Sequence, residues 1–194
     1  QANRRRRLFL KRIRKYPVKF LGQAVFTLLQ LRFKSGRLYK LKLSELKSFP
    51  RKKPGILKEV SNINQIDFNS LKADNPYDYV LLAGVGILSS STINKLEKPI
   101  LNVHFGITPK YRGVHGGYYA LRDKDWKNLG ITYHYVDEGI DTGEPIRHVL
   151  LNKPYGLNYH TVRLEQTIVM LKTLEETFTE YILPLKKDVL TVVD

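Results

Sequence analysis

Apolar positions recur with two different periods along this chain. Val18, Leu21, Val25, Leu28, Leu29 and Phe33 repeat at helical spacing, predicting an amphipathic helix over 18–33, entered at Pro17 and ended by Ser35-Gly36. Upstream, Leu8, Leu10 and Ile13 sit among arginines and lysines, predicting a basic helix over 4–15. Residues 37–55 are lysine-rich and hold Pro50, Pro54 and Gly55, which predicts irregular, mobile chain.

From Ile56 the pattern changes. Ile56 to Val60 reads as a short edge strand, and Asn69 to Asn75 as a helix that stops before Pro76. Tyr79 to Val85 is a continuous apolar run, as in a strand covered on both faces. A helix over 89–96 and a strand over 99–104 complete a strand–helix–strand unit of about 25 residues, which predicts a right-handed parallel crossover. A helix is expected over 115–123. Strands over 130–136 and 145–151 form a pair, and a long helix is predicted over 159–182 from Val162, Ile168, Val169, Leu171, Leu174, Phe178 and Ile182.

Charge divides the chain in the same place. Residues 1–60 carry nineteen Lys and Arg against Glu45 and Glu59, whereas residues 61–194 carry fourteen against sixteen acids. The overall +15 is therefore a property of a basic helical segment, 1–60, ahead of a near-neutral globular core, 61–194. The chain has no cysteine, which excludes disulfides, thiol catalysis and thiolate metal sites and fits a reducing compartment, the cytoplasm. The apolar stretch 18–33 is interrupted by Lys19, Gln23, Gln30 and Arg32, too short and polar for a membrane span. Arg4 to Lys19 could serve as an arm for a membrane surface or nucleic acid. Aromatic residues there are few, so nucleic acid is not the expected partner.

Candidate chemistry gathers in two places. Asn102 and His104 are two apart at the end of an apolar strand, hence on one face, where ligands of open α/β sheets bind. Asp141 lies in a glycine-flanked turn that can aim a carboxylate. The competing readings are a structural histidine and an aspartate bonding its own turn. A metal reading would join His104, His134, His148 and Asp141, but the spacing is unlike that of the usual zinc helix, and no metal is expected. There is no P-loop, no G-x-G-x-x-G and no G-x-S-x-G.

The run ILNVHFGITPKYRGVHGGYYAL, followed by GITYHYVDEGIDTGEPI, resembles the core of the folate-dependent formyltransferases. Asn102 and His104 match that family's N-x-H strand end, Pro109 to Gly113 its P-x-Y-R-G loop, and Asp141 to Gly143 its D-x-G turn. The resemblance is good over 74–151, loose over 159–182 and general over 1–60. It implies an open, mostly parallel Rossmann-like α/β sheet with helices on both faces. It further implies transfer of a formyl group from N10-formyltetrahydrofolate to an amine. Asn102 would donate to the oxyanion. His104 would donate or handle a proton, and Asp141 would orient His104 or pass a proton through water. The backbone of Gly86, Ile87 and Leu88 and the loop Val136, Asp137, Glu138, Gly139 and Ile140 would line the pterin pocket.

The family's first strand and small-residue loop are missing before Arg4, so the sheet is expected to be incomplete at its N-terminus. No extra β domain follows Asp194, which favours a small-molecule or nucleotide-sugar acceptor. The alternatives are an enzyme of the methionyl-tRNA or glycinamide ribonucleotide type, or an inactive fragment acting as a basic binding module.

Overall fold

The computed structural model describes residues 36–50, 60–68, 77–152 and 157–184. The helices expected over 4–15, 18–33 and 69–75, and the strand over 56–60 apart from Val60, lie outside them. Within them the order is α1 (Arg37–Ser48), β1 (Val80–Leu82), α2 (Ser90–Lys95), β2 (Ile100–His104), α3 (Gly116–Arg122), β3 (Gly130–Tyr135), β4 (Pro145–Leu150) and α4 (Tyr159–Thr177). A π-helical turn, Phe178–Ile182, prolongs α4.

The described strands form one open sheet in the order β1-β2-β3-β4. β1 and β2 are parallel, joined through α2, while β2–β3 and β3–β4 are antiparallel. The architecture is thus the expected open α/β one, with a mixed set of pairings in its described part. β1 is the edge of that part, and its Leu81 is 38% exposed, so the apolar run at 79–85 is not covered on both faces by the described chain.

Strand alternation sorts side chains to the two faces. Leu82 and Ile100 pack with Leu88 and Leu96, and with Val80 and Ile93, on the α2 side. Val103, Ile131 and Tyr133 pack on the other side against Val169, Met170 and Leu174 of α4. Side chains define where helices begin. Ser89 caps α2 by accepting from the Thr92 N–H, and Asn158 with Thr161 forms a capping box at α4.

The lysine-rich stretch expected to be irregular is helical over Arg37–Ser48. Its stability comes from docking on α4. Lys42 pairs with Glu165 at 2.7 Å and Glu45 with Lys172 at 2.7 Å, while Tyr39, Leu43 and Leu46 are half-buried. No helix among the described residues is long and apolar enough to cross a membrane.

Gln166 is buried at 2% exposure and donates from Nε2 to the Gly130 carbonyl at 2.8 Å, tying α4 to β3. Gln166→Leu keeps the volume but leaves that carbonyl unpaired, and should lower stability by about 1–3 kcal/mol in urea unfolding. Lys172→Ala, at an exposed ion pair, should change it by less than about 1 kcal/mol. Equal effects would overturn this ranking.

Candidate functional site

β2 and β3 run antiparallel with Asn102 opposite His134 and His104 opposite Thr132. Paired residues share a face, so the register sets four polar side chains side by side. The turn after β3 returns Asp141 to the same place, at φ 50°. Gly143 in that turn is obligatory, because a Cβ there would collide with the Tyr135 carbonyl.

The hydrogen bonds fix the tautomers. His134 Nδ1 lies 2.6 Å from the Tyr135 carbonyl, an acceptor, so Nδ1–H donates and Nε2 carries a lone pair. That lone pair accepts from Asn102 Nδ2 at 3.1 Å. The same Asn102 nitrogen donates to Asp141 Oδ1 at 3.3 Å. His104 Nε2 lies 2.6 Å from the Tyr111 carbonyl and donates to it. His104 Nδ1 then faces Asp141 Oδ2 at 3.1 Å, and the Gly113 N–H donates to that oxygen at 2.8 Å.

Burial pushes the His104 imidazole below its ordinary value, against the pull of the Tyr111 carbonyl and the Asp141 charge. Burial also opposes charge on Asp141. The Gly113 N–H, and the His134 and His104 rings when they carry a proton, outweigh it and hold the carboxyl below the usual carboxylate range. The resting pair is a neutral imidazole beside a carboxylate.

These groups line a cleft of about 420 Å³, the size of a small-molecule site. Asn102, His104 and Asp141, expected together, meet there. Gly86, Ile87, Leu88, Val136, Asp137, Gly139 and Ile140 also line it, whereas Glu138 is exposed on the same loop outside the lining. The Asp137 carboxylate is used by its own turn, accepting from Gly139 N–H and Thr142 Oγ1. Ile87 and Val114 stand 73% and 82% exposed at the cleft.

Sequence reasoning missed three contributors. His134 entered it only as a metal ligand, and the main-chain groups of Tyr111 and Gly113 did not enter at all. Arg163 reaches the cleft from α4, its guanidinium 4.6 Å from the Phe105 ring centre. His148 lies on β4 opposite Thr132, outside the lining. Among the described residues no group of three or more His, Asp or Glu could hold a metal ion.

Comparison with known proteins gives this geometry a family. A model of the formyl transferase family matches residues 37–152. The chain is 35% identical over 85 residues to methionyl-tRNA formyltransferase of Finegoldia magna, covering 43% of this chain and 27% of that protein. It is 39% identical over 67 residues to the trifunctional purine biosynthetic protein adenosine-3 of Drosophila melanogaster, covering 34% and 5%. It thus spans a minor part of the length of both relatives. The crystal structure of phosphoribosylglycinamide formyltransferase from Streptococcus pneumoniae superposes with a TM-score of 0.51 at 25% identity, covering 58% of this chain and 62% of that one.

The coupled charges give a signed prediction. Asp141 favours the His104 imidazolium, so Asp141→Asn should lower the His104 pKa further from its already depressed position, read by NMR titration of the ring. Folding prefers neutral His104, so stability should fall as pH drops below the ordinary 6.5. The depressed Asp141 adds a second loss as pH drops below 3.8. A His104 pKa that rises in Asp141→Asn would contradict the assigned contacts.

Proposed function

The chain belongs to the formyl transferase family, and from that premise we propose that it moves a formyl group from N10-formyltetrahydrofolate to the amine of a small-molecule or nucleotide-sugar acceptor. The observation that carries the reading is the His104–Asp141 pair, which lines the cleft beside Asn102 and can hold and release a proton. His104 Nδ1 and Asp141 Oδ2 face each other at 3.1 Å, within hydrogen-bond distance. A proton placed between them satisfies both. An amine that attacks a formyl carbon must shed one.

The reduced folate supplies the formyl carbon and, at N10, the leaving group. His104 Nδ1 receives the amine's proton, and Asp141 stabilises the imidazolium that results. The Tyr111 carbonyl holds Nε2–H, so the ring has one nitrogen left for this exchange. The proton then goes to the nitrogen that leaves. The Asn102 N–H on Asp141 makes a long bond, 3.3 Å, and is the donor available to the formyl oxygen as charge develops. The cleft walls suit a flat heteroaromatic head. Apolar Ile87, Val136 and Ile140 offer surface, and the backbone of 86–88, 136–137 and 139–140 offers donors and acceptors apart from the Ile87 carbonyl, the Val136 N–H and the Gly139 N–H, which are bonded within the protein.

The test is a steady-state transfer assay with N10-formyltetrahydrofolate against an amino-sugar nucleotide, glycinamide ribonucleotide and methionyl-tRNA. Transfer to the amino-sugar nucleotide is expected, with Asn102→Ala lowering kcat by about 10²–10³. His104 must be neutral to accept, so kcat/KM should fall as pH drops below 6.5. Folded protein that binds no stable folate analogue and formylates none of the three amines would sink the reading. Preference for either of the other two amines would correct the acceptor.

A further inference from the structure

Tyr111 is held at both ends. Its carbonyl takes the His104 Nε2–H at 2.6 Å. Its hydroxyl donates to Asp125 Oδ2 at 3.0 Å, and the ring packs with Ala120, Leu129, Leu151 and Val162. The Asp125 carboxylate is itself fixed. Asn128 Nδ2 reaches Oδ1 at 3.0 Å and Oδ2 at 2.9 Å, and Lys110 makes an ion pair with Oδ2. The carbonyl end sits in a slot made by two glycines. A Cβ on either Gly106 or Gly116 would strike the Tyr111 carbonyl oxygen, and one on Gly106 would also crowd His104 Nε2.

We propose that Asp125 is a positioning residue for His104, acting through the length of Tyr111. The proposal rests on the formyl-transfer reading for its catalytic meaning and on geometry alone for the linkage. The phenol ring is a rigid strut. Asp125 fixes one end, so the carbonyl at the other meets His104 at one height and angle. That contact keeps the proton on Nε2 and leaves Nδ1 as the exchanging nitrogen. The same loop supplies the Gly113 N–H that orients Asp141, so slack in the strut reaches both members of the pair. The charges needed are in place. Lys110 and then Asn128 hold Asp125 ionised, while burial and then the bond to Asp125 keep Tyr111 a phenol.

The test compares Tyr111→Phe and Asp125→Asn with Lys172→Ala, at an exposed ion pair away from the strut, in the full chain. Tyr111→Phe keeps the ring and its packing and removes only the hydroxyl, so it is the deciding variant. The readout is the tautomer of His104 from its ring 15N shifts, with His134 as the internal reference. The expected result is a single Nε2–H tautomer in the unsubstituted chain and in Lys172→Ala. In Tyr111→Phe, and to a lesser degree in Asp125→Asn, a mixture is expected, with His134 unmoved. In the transfer assay kcat should fall about tenfold in Tyr111→Phe with the KM for the folate unchanged. An unaltered His104 tautomer in folded Tyr111→Phe would overturn the proposal, as would an equal effect in Lys172→Ala. A tautomer shift in a chain without transferase activity would uphold the linkage and refute the formyl-transfer reading instead.

Discussion

A carboxylate removed from water needs donors nearby, and Asp141 draws them from two separate pieces of chain. Asn102 comes from a central strand and Gly113 from the loop beyond it, while the His104 ring, at the end of the same strand as Asn102, lies against the carboxylate. Asn102 and His104 are each held elsewhere by a second bond. His134 anchors the Asn102 amide, and the Tyr111 carbonyl anchors His104. One buried anion therefore sets the distances among elements that the backbone ladder alone would leave independent.

The sheet accounts for why these groups can meet. Parallel pairing of β1 with β2 carries the chain across α2, so both strands end at the same rim. Antiparallel return along β3 then lays His134 against Asn102, and the following turn delivers the anion. The apolar side chains of the same strands face α4 and supply the packing. Polar chemistry and hydrophobic core are thus separated by the alternation of a single pair of strands.

Much of this is written in local sequence. The two-residue spacing of Asn102 and His104 puts them on one face whatever the neighbours do, and the strands over 99–104, 130–136 and 145–151 are bounded by turn residues that leave little choice. Partnerships at a distance are not so written. His134 becomes part of the site through register with Asn102, which no local pattern specifies. Tyr111 and Gly113 act through main-chain atoms, which every residue has. The helix at Arg37–Ser48 was obscured for a related reason. Its lysines read as a solvated linker until Glu165 and α4 are present to pair with them.

Asp141 reaches its place in a left-handed conformation, at φ 50°. Side chains with a Cβ resist that region by about 1 kcal/mol or more, aspartate and asparagine least among them, and glycine not at all. A glycine at this position would relax the turn and release a buried charge from its obligations, while emptying the cleft of its anion. The most restful form of this loop and the chemically competent one are therefore different sequences. Backbone ease and side-chain anchoring thus pull this position in opposite directions: glycine relaxes the turn, and aspartate keeps the bonds to Gly113 and Asn102 that join it to the sheet.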